Sequence, residues 1–167
     1  MIVLLRKDTP IPANHKISVE IVCDNQEERV ISRGKHKTNM QTGLTHTSQM
    51  EVISELTASA VGSGDMEVLA TPIMTALMEN AAMKAVANAL EAGQTTVGSM
   101  IETTHLHPTA VGDTVLATAT LTEVDGRRLT FAISAKDSHG TIGEGTHVRY
   151  IVDRQRFLQR LKDANTK

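Results

Sequence analysis

The chain has 167 residues and a formal net charge of −2, enough for one domain with its own core and no global pull towards nucleic acid or an anionic membrane. Its aromatics are Phe131, Tyr150 and Phe157, with no Trp, which leaves no platform for stacking bases. The single cysteine, Cys23, excludes an intrachain disulfide and a cysteine-rich metal site. No apolar run approaches the ~18 residues that span a bilayer, and Met1 to Leu5 is too short for a signal-peptide core, so a cytoplasmic setting is expected.

Residues 1–39 carry Pro10, Pro12, Cys23 and the basic stretch Arg33-Gly34-Lys35-His36-Lys37. Ile17, Val19 and Ile21 alternate with polar residues and allow a strand from Ile17 to Cys23. The texture is otherwise that of a mobile extension ahead of a domain at 40–167, with a true start at Met40 as a sharper alternative. Gln49 to Ile53 reads as the first strand of the domain. Ser54 to Leu69, with Gly62-Ser63-Gly64-Asp65, reads as a loop or broken helix.

Thr71-Pro72 then opens a helix that runs to about Glu91 and stops at Ala92-Gly93. The Thr71 hydroxyl is expected to cap free N–H groups. At 100° per residue, Asn80, Lys84, Asn88 and Glu91 form a polar stripe. Glu79 falls away from it, beside Met78, Ala82, Met83 and Val86. A carboxylate among apolar neighbours needs a partner or a purpose.

Four strands follow, at Thr95 to His107, Asp113 to Glu123, Arg127 to Lys136 and Thr141 to Val152, and their short connections make the sheet antiparallel. Val115, Ala117, Ala119 and Leu121 line one face, as do Leu129, Phe131, Ile133 and Ala135. A three-residue loop at Val124-Asp125-Gly126 would align these rows, pairing Leu121 with Leu129 and Glu123 with Arg127. Asp153 to Lys162 is an amphipathic tail helix. The whole is α+β, a sheet curled around one long helix, and one helix cannot cover so wide a sheet without a second subunit.

His105 shares strand parity with Val97 and Ile101 and is expected to face the helix, while Gly98 marks a bulge or a close approach. His105 and His107 could be two metal ligands, but no third is evident, so no metal and no cofactor are expected. His139 and His147 read as surface or strand residues.

Val68 to Glu79, Thr96-Val97-Gly98, His105, Val124 to Phe131 and Ile142 to Arg149 together resemble the fluoroacetyl-CoA thioesterase-like branch of the hotdog-fold superfamily, over about residues 40–157. The resemblance implies a hotdog fold, a homodimer or dimer of dimers with sites at the subunit interface, and metal-free hydrolysis of acyl-CoA. It implies a catalytic set of Thr71, Glu79 and His105, with Gly98 and Arg149 contacting substrate. The stretch 58–69 lacks the aromatic lid residues associated with fluoroacetyl specificity, so a small or medium acyl group is expected. A hotdog hydratase or dehydratase and a non-catalytic acyl-CoA-binding module are the rivals.

Overall fold

A computed structural model describes residues 16–20 and 40–164. The expectations of a mobile extension and of a start at Met40 fall mostly outside the described residues. Within that segment, Lys16–Glu20 forms a strand, β1, antiparallel to the Met100–Thr104 half of a later strand. The remaining elements are β2 (Thr45–Glu51), a 3-10 turn at Ser54–Leu56, α1 (Ala58–Val61), α2 (Thr71–Val86), β3 (Gln94–Thr104), β4 (Thr114–Asp125), β5 (Arg128–Asp137), β6 (Gly140–Asp153) and α3 (Arg154–Ala164). The six strands form one antiparallel sheet in the order β1-β3-β6-β5-β4-β2. No helix among the described residues is long and apolar enough to cross a membrane.

The sheet wraps α2, as the alternation along β4 and β5 requires. Val115, Ala117, Ala119 and Leu121 are buried together with Leu129, Phe131, Ile133 and Ala135, against Met74, Met78, Ala81, Ala82 and Val86 of the helix. Small residues on β4 let the helix lie close, and α2 packs chiefly on β4 and β2. The helix gives way to a 3-10 turn at Ala87–Ala89 and Leu90 is extended, so it ends before Glu91. Asn80 also departs from the expected solvent stripe, because its Oδ1 accepts a 2.8 Å hydrogen bond from Ser48 Oγ on β2.

The β4–β5 register differs from the expected one. Asp125 pairs with Arg128 and Val124 with Leu129, so the turn is the two residues Gly126-Arg127, with Gly126 at φ 56°. Such a turn alone would set odd positions against even ones and put the two apolar rows on opposite faces. A bulge at Thr122 corrects the phase: beyond it Leu121 pairs with Phe131 and Ala119 with Ile133. Glu123 then lies 3.5 Å from Arg128, both well exposed, rather than opposite Arg127.

The apolar residues Leu158 and Leu161 of α3 are about half exposed, so the tail helix contributes little to the core. Phe131, fully buried at the centre, contributes most per residue. Phe131→Ala is expected to cost about 3–5 kcal/mol, read as a lower urea midpoint in equilibrium unfolding.

Candidate functional site

Thr71 is the first helical residue rather than the cap. Ala70 occupies the cap position in an extended conformation and makes no side-chain cap bond. The Thr71 hydroxyl turns instead to His105, with Oγ1 2.8 Å from Nδ1. That contact depends on β3. A bulge between Gly98 and Met100 switches the strand's parity, so Thr96 and Gly98 share the helix side with Ile101 and Thr103 instead of with Val97. Thr103 Oγ1 reaches Met78 Sδ at 3.5 Å, and His105 follows in the same row just past the strand end.

Burial pushes the His105 imidazole below its ordinary pKa, with a backbone group of His107 opposing part of the shift. Its Nε2 is buried and has no hydrogen-bond partner among the described residues. Thr71 and His105 line a cavity of about 260 Å³ with Ala58, Ser63, Val68, Leu69 and Leu106.

A second cluster lies further along α2. Glu79, its side chain 38 % exposed, places Oε1 3.7 Å from Nε2 of His147 on β6. A Cβ on Gly98 would lie 2.8 Å from Glu79 Oε1 and 3.1 Å from His147 Cε1, so a side chain there would push the carboxylate from its place beside the imidazole. His147 is 1 % exposed. Its Nδ1 is 2.7 Å from the Met100 carbonyl oxygen, which can only accept, so Nδ1 carries the proton and Nε2 the lone pair. That lone pair accepts from Arg149 Nη1 at 3.0 Å.

Arg149, 6 % exposed, also donates from Nε to Thr96 Oγ1 and from Nη2 to Thr96 O, each at 2.9 Å. Burial holds His147 down at about 4, against a raising bond to Met100 and with help from the Arg149 charge. Burial likewise lowers Arg149, and the Glu79 charge opposes it. His147 is therefore neutral near pH 7, and its contact with Glu79 is not an ion pair. The carboxylate's counter-charge is the guanidinium.

The structure joins Thr71 to His105, and Glu79 to Gly98 with His147 and Arg149 behind them. It does not bring the two groups to one point within a single chain. Eight residues of helix separate Thr71 from Glu79, roughly 12 Å along the axis. His147 is the member that sequence reasoning missed, and its place two residues before Arg149, on the same side of β6, was the available signal. His107 is exposed. Asp113, Asp137 and His139 are the one group among the described residues with ligand atoms near enough for a metal. Both carboxylates there are already bonded, Asp137 to Thr109 and the His139 N–H, and Asp113 to Ser138 and the Thr114 N–H.

A family model described as fluoroacetyl-CoA-specific thioesterase matches residues 52–155. The fluoroacetyl-CoA thioesterase of Streptantibioticus cattleyicolor is 42% identical over 96 residues, covering 58% of this chain and 69% of that protein. Among solved structures, a variant of a fluoroacetyl-CoA-specific thioesterase superposes with a TM-score of 0.70 at 34% identity, covering 77% of this chain and 99% of the other. A complex of such a variant with fluoroacetate and CoA gives 0.67 at 36% identity, over 71% and 99% of the two chains. A hot-dog-like protein from Thermanaerovibrio acidaminovorans gives 0.69 at 25% identity, over 75% and 93%.

The low pKa of His147 has a consequence for stability. Its neutral form is favoured by folding, so this contribution is complete above its unfolded value of 6.5 and lost as pH falls towards about 4. The full effect is on the order of 3 kcal/mol. Chemical unfolding between pH 7 and 4 should show stability falling with pH, and His147→Gln should flatten that slope.

Proposed function

Because the chain belongs to the fluoroacetyl-CoA-specific thioesterase family, we propose that it hydrolyses acyl-CoA thioesters to a free acid and CoA, at a site completed by a second subunit. One observation carries the shared site: His105 presents a buried Nε2 with no hydrogen-bond partner among the described residues, while Glu79 of the same chain lies about two helical turns beyond Thr71. In a homodimer with a two-fold axis, Thr71 and His105 of one protomer face Glu79 of the partner subunit, and the assembly contains two such sites. A dimer of dimers keeps the same pairing.

We assign the Thr71 hydroxyl as donor to His105 Nδ1, which puts the ring proton on Nε2 and makes His105 the proton carrier facing the thioester. Thr71 is the polar partner that fixes the ring. Glu79 is the reactive carboxylate, taking a proton from water as the water adds to the carbonyl carbon, or adding directly. A backbone N–H at Gly98 or at the start of α2 holds the oxyanion. Collapse expels CoA as a thiolate, a good leaving group because its conjugate acid has a pKa near ~8.5. Oxygen-18 from labelled water recovered in Glu79 after one turnover would identify direct attack.

The substrate is a small or medium acyl-CoA. The 58–69 stretch contributes Ala58, Ser63, Val68 and Leu69 to the cavity wall and has no aromatic residue to close over a two-carbon acid. A cytoplasmic setting fits both the lone Cys23 and a CoA ester.

Thiol release over a panel of acyl-CoAs tests the activity, and Glu79→Gln and His105→Ala are each expected to lower kcat by about 100-fold or more. Refolding the two variants together tests the shared site. Statistical mixing makes half the dimers heterodimers with one intact site each, so about one quarter of wild-type activity should return. No recovery in a mixture shown to contain heterodimers would place the whole site in one chain.

A further inference from the structure

Two buried ionisable groups on β6 have no step in that hydrolysis, yet they stand directly behind the reactive carboxylate. We propose that His147 and Arg149 are positioning residues for Glu79: His147 fixes the guanidinium of Arg149 in one orientation, and that guanidinium supplies a stationary positive charge behind the carboxylate. The proposal rests on the thioesterase reading and assigns Arg149 a part other than contact with substrate.

The donors of Arg149 are largely spent on the protein. Three nitrogens bond Thr96 Oγ1, Thr96 O and His147 Nε2 at 2.9, 2.9 and 3.0 Å. A guanidinium so held and 6 % exposed has little reach towards a ligand, and it is a fixed charge of the kind that costs no reorganisation during reaction. Glu79 is the opposite charge that acts on it, and beside Gly98 the carboxylate comes up to the imidazole that holds the guanidinium: Oε1 stands 3.7 Å from His147 Nε2 and would lie 2.8 Å from a Cβ on Gly98.

An imidazole is needed at 147 rather than any flat ring. One nitrogen must donate to the Met100 carbonyl, 2.7 Å away, and the other must accept from a cation. A neutral histidine does both at once. Protonation would turn the acceptor into a second donor aimed at a guanidinium, and burial keeps that form away, with the pKa at about 4.

Glutamine and asparagine at 147 separate the two bonds. The Gln carbonyl oxygen falls near the position of Nε2 and can accept from Arg149, whereas the shorter Asn amide falls near Nδ1 and keeps only the bond to Met100. With thiol release as the assay, His147→Asn is expected to lower kcat between about 10- and 100-fold with KM within about twofold, and His147→Gln to restore most of that loss. Nitrogen-15 NMR at pH 7 should show a neutral, Nδ1-protonated His147 and slowly exchanging Arg149 side-chain protons. Those protons should stay slow in His147→Gln and exchange fast in His147→Asn.

Equal kcat losses in the two variants, a loss carried by KM, or an Nε2-protonated ring would overturn the proposal. Wild-type protein inert towards every acyl-CoA would instead strike the thioesterase reading. The NMR comparison, which needs no turnover, would still decide whether His147 holds the guanidinium.

Discussion

A cation taken out of water must be met by acceptors on every side and by an opposite charge, and Arg149 makes that demand at the middle of this sheet. Thr96 accepts twice, His147 accepts once, and Glu79 supplies the charge from the helix. Each acceptor in turn constrains the backbone that bears it. Thr96 and Gly98 must face the helix from β3, and His147 must reach across to the Met100 carbonyl. The bulge after Gly98 reconciles these requirements, because past it the strand can also present Ile101 and Thr103 to the core.

The same bulge puts both clusters on one side of β3. Without the parity change, the row containing Gly98 would run on through Met100, Glu102 and Thr104 and leave His105 on the other side. With it, one strand serves Glu79 near its middle and delivers an imidazole to Thr71 just past its end. The separation along α2 is then a matter of helix rise. A single helix can present a hydroxyl and a carboxylate to different ends of one strand, but not to one atom.

Much of this was legible in the chain. The alternation along β4 and β5 gave the core rows, and its place off the polar stripe singled out Glu79, whose side chain is 38 % exposed rather than enclosed by apolar neighbours. Gly98 marked the close approach, and Thr71-Pro72 marked the helix start. What escaped was set by contacts between distant segments. Local propensity favours Thr71 as a cap, yet its hydroxyl finds an imidazole 34 residues away. Asn80 read as solvent-facing until Ser48 claimed it. His147 looked like an ordinary strand residue because the one local signal, Arg149 two positions on, does not reveal that this cation is buried beside a bulged strand.

The Thr122 bulge limits how this hairpin can change in length. Side chains on a strand alternate with period two, so the tight Gly126-Arg127 turn is tolerated only because one extra residue is absorbed elsewhere in the ladder. Losing that residue, or gaining a single one in the turn, would send either Leu121 or Phe131 outwards. Length changes here must come in pairs or be offset within the same two strands, and because β5 pairs Leu129 with Arg149 and Phe131 with His147, a slip in this hairpin would also disturb the strand that carries the buried cation.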